Sequence, residues 1–276
     1  MLLFPNAKIN LGLHIMGVLP NGYHSIETVF IPVPLCDELS VESAEEDSFD
    51  ELGISVRCPP EHNLVLRAIS AFRRFYREDI PPLSVRLTKR IPVGAGLGGG
   101  SSDAAFTLKA LRDMFMPRLN AKQLEELAQT LGADCPFFLR NVPTLATDMG
   151  NIFSPILPVL QGYYVVLVMP SVAISTSEAY KLSSLRQPVY DLCKLLSNEK
   201  PERWRGILKN DFEDVVFPRY PLLADLKQRL YEQGAAYASL SGSGSTLFGI
   251  FARKPVHIRE KFSDCPVEHH VECYQM

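Results

Sequence analysis

The chain has 276 residues, 46% of them hydrophobic and 21% charged, with a formal net charge of −3. That length supports one large domain or two modest ones with cores of their own. The near balance of charge argues against a broad polyanion-binding surface, so no nucleic-acid partner is expected, while a local basic or glycine-lined pocket stays open. Six scattered cysteines (Cys36, Cys58, Cys135, Cys193, Cys265 and Cys273) never form C-x-x-C. Neither a zinc site nor a disulfide framework is expected, and reduced thiols in a cytoplasmic protein are the simpler reading. The start, MLLFPNAKIN, lacks a basic leader followed by a sustained apolar run, so no signal peptide is expected. The longest strongly apolar run, YYVVLVM at 163–169, is too short to span a bilayer and reads as a buried strand.

Along the chain, a helix is expected from Asn63, with Leu64, Ala68, Phe72 and Phe75 on one face. Leu83, Val85 and Leu87 alternate with Ser84, Arg86 and Thr88, the pattern of a half-buried strand. It leads into PVGAGLGGGSSDAA, in which five of the seven residues 94–100 are glycine, and SSDAAFTLKALRDMF then reads as helix. A second helix carries Leu124, Leu127 and Leu131 and is expected to stop at Gly132. A proline-marked connection near Pro155 and Pro158 precedes the 163–169 strand, suggesting domains at 1–157 and 158–276. The second half adds a helix with Leu223, Leu226 and Leu230 ending at Gly234, then strand, glycine turn and strand through AAYASLSGSGSTLFGIF. Strands and helices mix without regular βαβ alternation, so the fold class is α+β.

Gly94, Gly96 and Gly99 fit G-x-G-x-x-G, but a dinucleotide fold needs a second strand with an acidic end about 20 residues on. Here another helix, LNAKQLEELAQTLG, follows instead. A Walker loop ends in G-K-[ST], and this one ends in G-S-S. A flexible linker is seldom clamped between a strand and an amphipathic helix. No G-x-S-x-G surrounds the glycine turns, which removes the serine hydrolases. What remains is shared physics: bare backbone exposes consecutive N–H groups, and the helix beginning near Ser101 points its positive end at the same place. Phosphate is the natural guest.

Three further islands each have an ordinary reading. In PNAKINLGLHIMGVLPNGYHSIETVF, Lys8 reads as a solvated strand residue, and Tyr23 and His24 as residues of an Asn-Gly turn. In LGADCPFF, Asp134 reads as a helix cap. SLSGSGSTLF reads as a hairpin turn.

Their joint order, PNAKINLGL and GYH, then PVGAGLGGGSSDAA, then LGADCPFF, then LSGSGSTLF, resembles the GHMP kinase superfamily over nearly the whole chain. The GYH and LGADCPFF blocks point to the branch that acts on a cytidine diphosphate conjugate of methylerythritol, in the non-mevalonate route to isoprenoids. The resemblance implies two α+β lobes with the active site in the cleft between them. It implies ATP held by Pro92, Val93, Gly94, Ala95, Gly96 and Leu97, continued by Gly98, Gly99, Gly100, Ser101 and Ser102, with Asn63 beside the adenine. Lys8 and Asp134 match the catalytic pair. Tyr23 and His24 match the cytosine-binding pair, and Tyr180 a second stacking aromatic sandwiching the base with Tyr23. Asn10 and the backbone around Met149 and Gly150 would line the substrate channel, and Gly242 and Gly244 would help close the site. The family often has Gly-x-Gly-Glu where this chain reads TDMGN at 147–151. Mg²⁺ is expected with the ATP, its protein ligands unassigned by the sequence. Rival readings are a GHMP kinase acting on homoserine or a mevalonate, and a nucleotide-binding regulator without catalysis.

Overall fold

The computed structural model describes residues 1–56, 58–76, 80–185 and 187–276. Along the chain its elements are β1 (Leu2–Leu3), β2 (Asn6–Val18), β3 (His24–Cys36), β4 (Glu38–Ser43), β5 (Ser48–Gly53), α1 (Leu64–Tyr76) and β6 (Leu83–Lys89). Next come α2 (Gly99–Phe115), α3 (Ala121–Gln129), α4 (Cys135–Arg140), β7 (Thr144–Thr147), β8 (Ile152–Pro155) and β9 (Tyr164–Pro170). The rest are α5 (Thr176–Leu182), α6 (Leu192–Asn198), α7 (Glu213–Val216), α8 (Pro221–Glu232), β10 (Tyr237–Leu240), β11 (Leu247–Phe251) and β12 (His269–Gln275).

These elements form two compact units that interleave along the chain. The first comprises Met1–Ala7, Pro34–Val93 and Gly98–Val142; the second comprises Lys8–Val33, Gly94–Leu97 and Pro143–Met276. The division therefore differs from a single cut at 157. The physical reason is strand pairing: Thr28, Val29 and Phe30 of β3 pair with Ala146, Leu145 and Thr144 of β7, which draws the N-terminal strands into the unit of the C-terminal half.

In the first unit, a sheet of order β1-β4-β6-β5 is covered by helices. Leu83, Val85 and Leu87 of β6 are buried as the alternation requires, and they share a core with Val65, Ala68, Ile69 and Phe72 of α1 and Leu108 and Leu111 of α2. The α1 face is turned slightly from the sequence expectation: Val65 and Ile69 are buried, Leu64 is only half-buried and Phe75 is 57% exposed. Both stripes share Ala68 and Phe72, and packing against α2 selects between them. The α3 helix opens with a capping box between Asn120 and Gln123 and ends at Gln129, before Gly132. Gly132 is not in the left-handed conformation that makes glycine a helix stop.

The second unit holds two sheets, β2-β3-β7-β8 and β10-β11-β9-β12. Its core gathers Val166 and Val168 of β9, Leu223, Leu226 and Leu230 of α8, and Leu240 and Leu247 of the β10–β11 hairpin. The α8 helix does stop at a left-handed glycine, Gly234 with φ +91°. All six cysteines are free. Among the described residues no helix is long and apolar enough to cross a membrane.

Candidate active site

In the second unit, two of the sequence islands converge on one short segment of the glycine loop, Gly94–Leu97. The backbone N–H of Lys8 donates to the Leu97 carbonyl at 2.9 Å, and the N–H of Thr246 donates to the Ala95 carbonyl at 3.1 Å. The Gly96 carbonyl accepts from the Ser241 hydroxyl at 2.9 Å and from the Lys8 ammonium at 3.3 Å. Gly96 has φ +78°, and a Cβ there would lie 1.9 Å from the Ser241 carbonyl oxygen. Only glycine fits this approach.

Lys8 is a buried residue of the β2 strand, 5% exposed, rather than a solvated one. Its ammonium donates to Asn10 Oδ1 at 2.7 Å and stands 4.9 Å from the centre of the Phe30 ring. Asn10 Nδ2 donates in turn to the Thr28 hydroxyl at 3.0 Å, and that hydroxyl donates to the Gly12 carbonyl at 2.5 Å. Every second residue of β2 points the same way, which is why Lys8 and Asn10 act together. Gly242 adjoins this group, since a Cβ on it would lie 3.4 Å from Asn10 Oδ1. Asn210 Nδ2 fixes the turn by donating to the Leu240 and Gly242 carbonyls, both at 2.8 Å. Gly244 lies in the same turn, its N–H donating to the Ser241 carbonyl at 2.9 Å.

A second gathering in this unit joins the GYH turn to two distant segments. Asn21 Nδ2 contacts Met149 Sδ at 3.5 Å, and the Ile26 N–H donates to the Asp148 carbonyl at 2.7 Å. Gly150, with φ +84°, packs beside Ile26. The His24 ring stacks on Tyr180 with centroids 4.7 Å apart and planes 21° apart. Tyr180 also meets Phe212 edge-on at 4.8 Å. Tyr23 is 65% exposed, its N–H held by Asn21 Oδ1 at 3.1 Å. The resemblance implies that Tyr180 and Tyr23 sandwich a base, and in the structure the ring stacked on Tyr180 is that of His24.

In the first unit, Pro92 and the 57% exposed Val93 lead out of β6, and Gly98, with φ +70°, is the N-cap of α2. Gly99, Gly100, Ser101 and Ser102 form the first turn of that helix. No side chain caps it, and the Ser102 hydroxyl is buried with no hydrogen-bond partner. Asn63, also expected at the nucleotide, is buried, and its Oδ1 accepts from the Val65 N–H at 2.9 Å, opening α1. Asp134 occupies the N-cap position of α4, yet its side chain makes no capping hydrogen bond. The following Cys135 lies against Ser101, and burial pushes its thiol up to about 12. LGADC therefore borders the turn that begins α2.

Several contributors had no local signal in the sequence. Thr28, Phe30 and Asn210 are ordinary strand and loop residues until the fold brings them to Lys8 and the glycine turn. Ser241 lies inside the LSGSGST island, where a hairpin-turn reading conceals its grip on Gly96. Asp37 and Lys89 were not anticipated at all. Among the described residues, no group of three or more His, Cys, Asp or Glu side chains is gathered to hold a metal ion.

The chain matches the family profiles described as GHMP kinases N terminal domain, over residues 63–141, and GHMP kinases C terminal, over residues 192–266. A protein of Parabacteroides distasonis named 4-diphosphocytidyl-2-C-methyl-D-erythritol kinase is 48% identical, with 96% of this chain and 97% of that one covered. A protein of the same name from Cytophaga hutchinsonii is 43% identical, with the same coverage of 96% and 97%. The crystal structure of a 4-(cytidine 5'-diphospho)-2C-methyl-D-erythritol kinase superposes with a TM-score of 0.78 at 31% identity, covering 99% of this chain and 98% of that one. Homoserine kinase from Cytophaga hutchinsonii, at 17% identity and a TM-score of 0.70 over 98% of this chain and 94% of its own, shares the fold. With its glycine loop, buried lysine and paired kinase profiles spanning both halves, the chain belongs to the GHMP kinases, a family of small-molecule kinases.

Proposed function

We propose that the acceptor of this kinase is the 2-hydroxyl of 4-diphosphocytidyl-2-C-methyl-D-erythritol and that ATP is the donor. The observation that carries this reading is the gathering of the GYH turn, the Met149–Gly150 turn and Tyr180 beside one another in the second unit. A kinase acting on a small acceptor without a base has no need of an aromatic and imidazole pair there.

In this reading the N–H groups from Gly94 to Ser102 and the start of α2 receive the triphosphate, with Asn63 near the adenine. Phosphoryl transfer needs positioning and charge neutralisation more than covalent work. Asp134 accepts the proton of the attacking hydroxyl. Lys8 supplies the positive charge that offsets what builds on the transferring group, its ammonium steadied by Asn10. Tyr23, His24 and Tyr180 hold the cytosine, and Met149, Gly150, Gly242 and Gly244 line the path of the rest of the substrate. Mg²⁺ would accompany the nucleotide and offset the charge of the phosphate oxygens, with no protein ligand assigned.

A coupled ADP-release assay tests the proposal, with the cytidyl-methylerythritol conjugate offered beside homoserine and mevalonate. Turnover of the conjugate alone is expected. Preference for either smaller acceptor would overturn it.

A further inference from the structure

Beneath the first turn of α2, in the first unit, lies a buried cluster of three charged side chains that the proposed chemistry does not use. The Lys89 ammonium bonds Asp37 Oδ2 and, at 2.7 Å, Asp103 Oδ2. The three side chains are between 0% and 3% exposed. A Cβ on Gly99 would come within 3.2 Å of the Lys89 nitrogen, so the cluster abuts the backbone that opens the helix. The two carboxylates are treated differently. Asp37 has both oxygens engaged, with Oδ1 accepting from the N–H groups of Arg90 at 2.5 Å and Ile91 at 2.8 Å. Asp103 has its Oδ1 buried with no partner at all.

Two carboxylates and one ammonium leave one negative charge over, in a site closed to water. Burying an uncompensated charge is expensive, and a proton on one carboxyl removes the expense. Asp103, with its unengaged oxygen, is where that proton costs the fewest hydrogen bonds. Its carboxyl is pushed up to about 7, first by burial and then by the Asp37 charge, against the pull of Lys89. The groups acting on it are Lys89 of β6 and Asp37 of the β3–β4 link. The α1 and α4 helices also pack on α2, but their Arg67 and Asp134 bear on Cys135 instead. Glu38 of β4 faces Arg90 at 4.0 Å on the surface.

We propose that Asp103 must be neutral for nucleotide to bind, so that ATP binding at the glycine loop takes a proton up into the Asp37–Lys89–Asp103 cluster. This rests on the reading of the loop as the phosphate cradle. An ionised Asp103 leaves a net negative charge directly behind the turn that receives a polyanion; the protonated form leaves the cluster neutral and the helix end free to attract. Asp103 touches no phosphate in this account. It is a positioning residue acting through the field at the loop.

The test is calorimetric titration with Mg·ATP of the unmutated protein and of Asp103→Asn, which keeps the shape and fixes the neutral state. Affinity of the unmutated protein is expected to weaken about twenty- to thirty-fold between about pH 6.5 and about pH 8.5, beyond any change in the variant. The variant also serves as reference for the nucleotide's own titration. Near pH 7.5, buffers of different ionisation enthalpy should report uptake of a fraction of a proton by the unmutated protein, a measurement that needs no variant. Equal pH dependence in both proteins, or no proton uptake, would overturn the proposal and leave the phosphate cradle standing. Failure of both proteins to bind Mg·ATP at any pH would overturn the two together.

Discussion

The ammonium of Lys8 meets the carbonyl oxygen of Gly96 at 3.3 Å across 88 positions of sequence. The same carbonyl is held by Ser241, so one peptide of the glycine loop is fastened to a strand at one end of the chain and a hairpin at the other. This ties the position of the proposed charge-neutralising group to the position of the loop. Replacing Lys8 by Met keeps most of its length and contact with Phe30 but removes the charge. We expect kcat to fall by about 10²–10³-fold with a much smaller change in nucleotide affinity. A variant within a few-fold of normal turnover would remove Lys8 from the chemistry.

Asp134 stands at the N-cap position of α4 without a side-chain capping hydrogen bond, and the proposed mechanism makes it the acceptor of the hydroxyl proton. Asp134→Asn is expected to reduce kcat by about 10²–10⁴-fold while leaving the thermal transition nearly unchanged. A drop in Tm of several degrees with intact kcat would instead return Asp134 to a structural role.

The glycines of the loop differ in what they tolerate. Gly94 has φ +67° but open space around it, so Gly94→Ala meets only backbone strain, about 1–2 kcal/mol. Gly96→Ala adds a collision with the Ser241 carbonyl. Chemical denaturation should show Gly96→Ala costing at least about twice as much as Gly94→Ala. Equal losses would contradict the close approach.

The His24 ring lies flat on Tyr180, so it contributes a face as well as two polar nitrogens. Stacking accepts any pyrimidine, and discrimination of cytosine from uracil must come from hydrogen bonds at the base edge. A mismatched buried polar group costs about 1–3 kcal/mol. The uridine analogue of the proposed substrate is therefore expected to have kcat/KM lower by about ten-fold or more. Tyr23→Ala should weaken both analogues alike, and His24→Ala should narrow the gap between them. Equal kcat/KM for the two in the unmutated protein would exclude base reading at this turn.

Away from the site, Asp47 receives the Arg73 guanidinium at 2.7 and 2.8 Å and the Leu83 N–H at 2.8 Å, joining α1 to the start of β6. The Arg73 bond, then that of Leu83, holds its carboxyl down to about 2 from an ordinary 3.8. A folded value below the unfolded one means stabilisation is in place above about pH 4 and is lost as pH falls through about 2. Asp47 is largely exposed, so solvent screening limits the effect to about 1 kcal/mol or less. Asp47→Asn should lower Tm slightly at neutral pH and not at about pH 2; the reverse order would refute this.

Local pattern carried the reading of regular elements and motifs a long way. The alternation through Leu83, Val85 and Leu87 and the apolar stripe through Leu223, Leu226 and Leu230 are signals contained within one element, and each element formed. The stripe of α1 was legible only to within a residue, because the choice between Leu64 and Val65 belongs to the neighbour it packs on. The purpose of Gly96 was illegible in detail, since the atom that forbids a side chain there belongs to Ser241. Lys89, Asp37 and Asp103 defeated the reading for another reason. Local rules place charges in water, and nothing short-range reveals that three of them will gather in a core.

The pairing of Thr28 with Ala146 has a consequence for how the chain is made. When the N-terminal strands leave the ribosome, their β7 partner is still on the order of a hundred residues from synthesis, roughly five to twenty seconds away at ordinary elongation rates. For that interval a long, apolar hairpin has an unpaired edge, the kind of surface that recruits other chains. The first unit also waits, because its Met1–Ala7 piece precedes that hairpin while its helices follow. Neither unit can be released by cutting the chain once. Nascent protein should thus engage holding chaperones until residues beyond 143–155 emerge, and fragments ending before β7 should aggregate rather than fold.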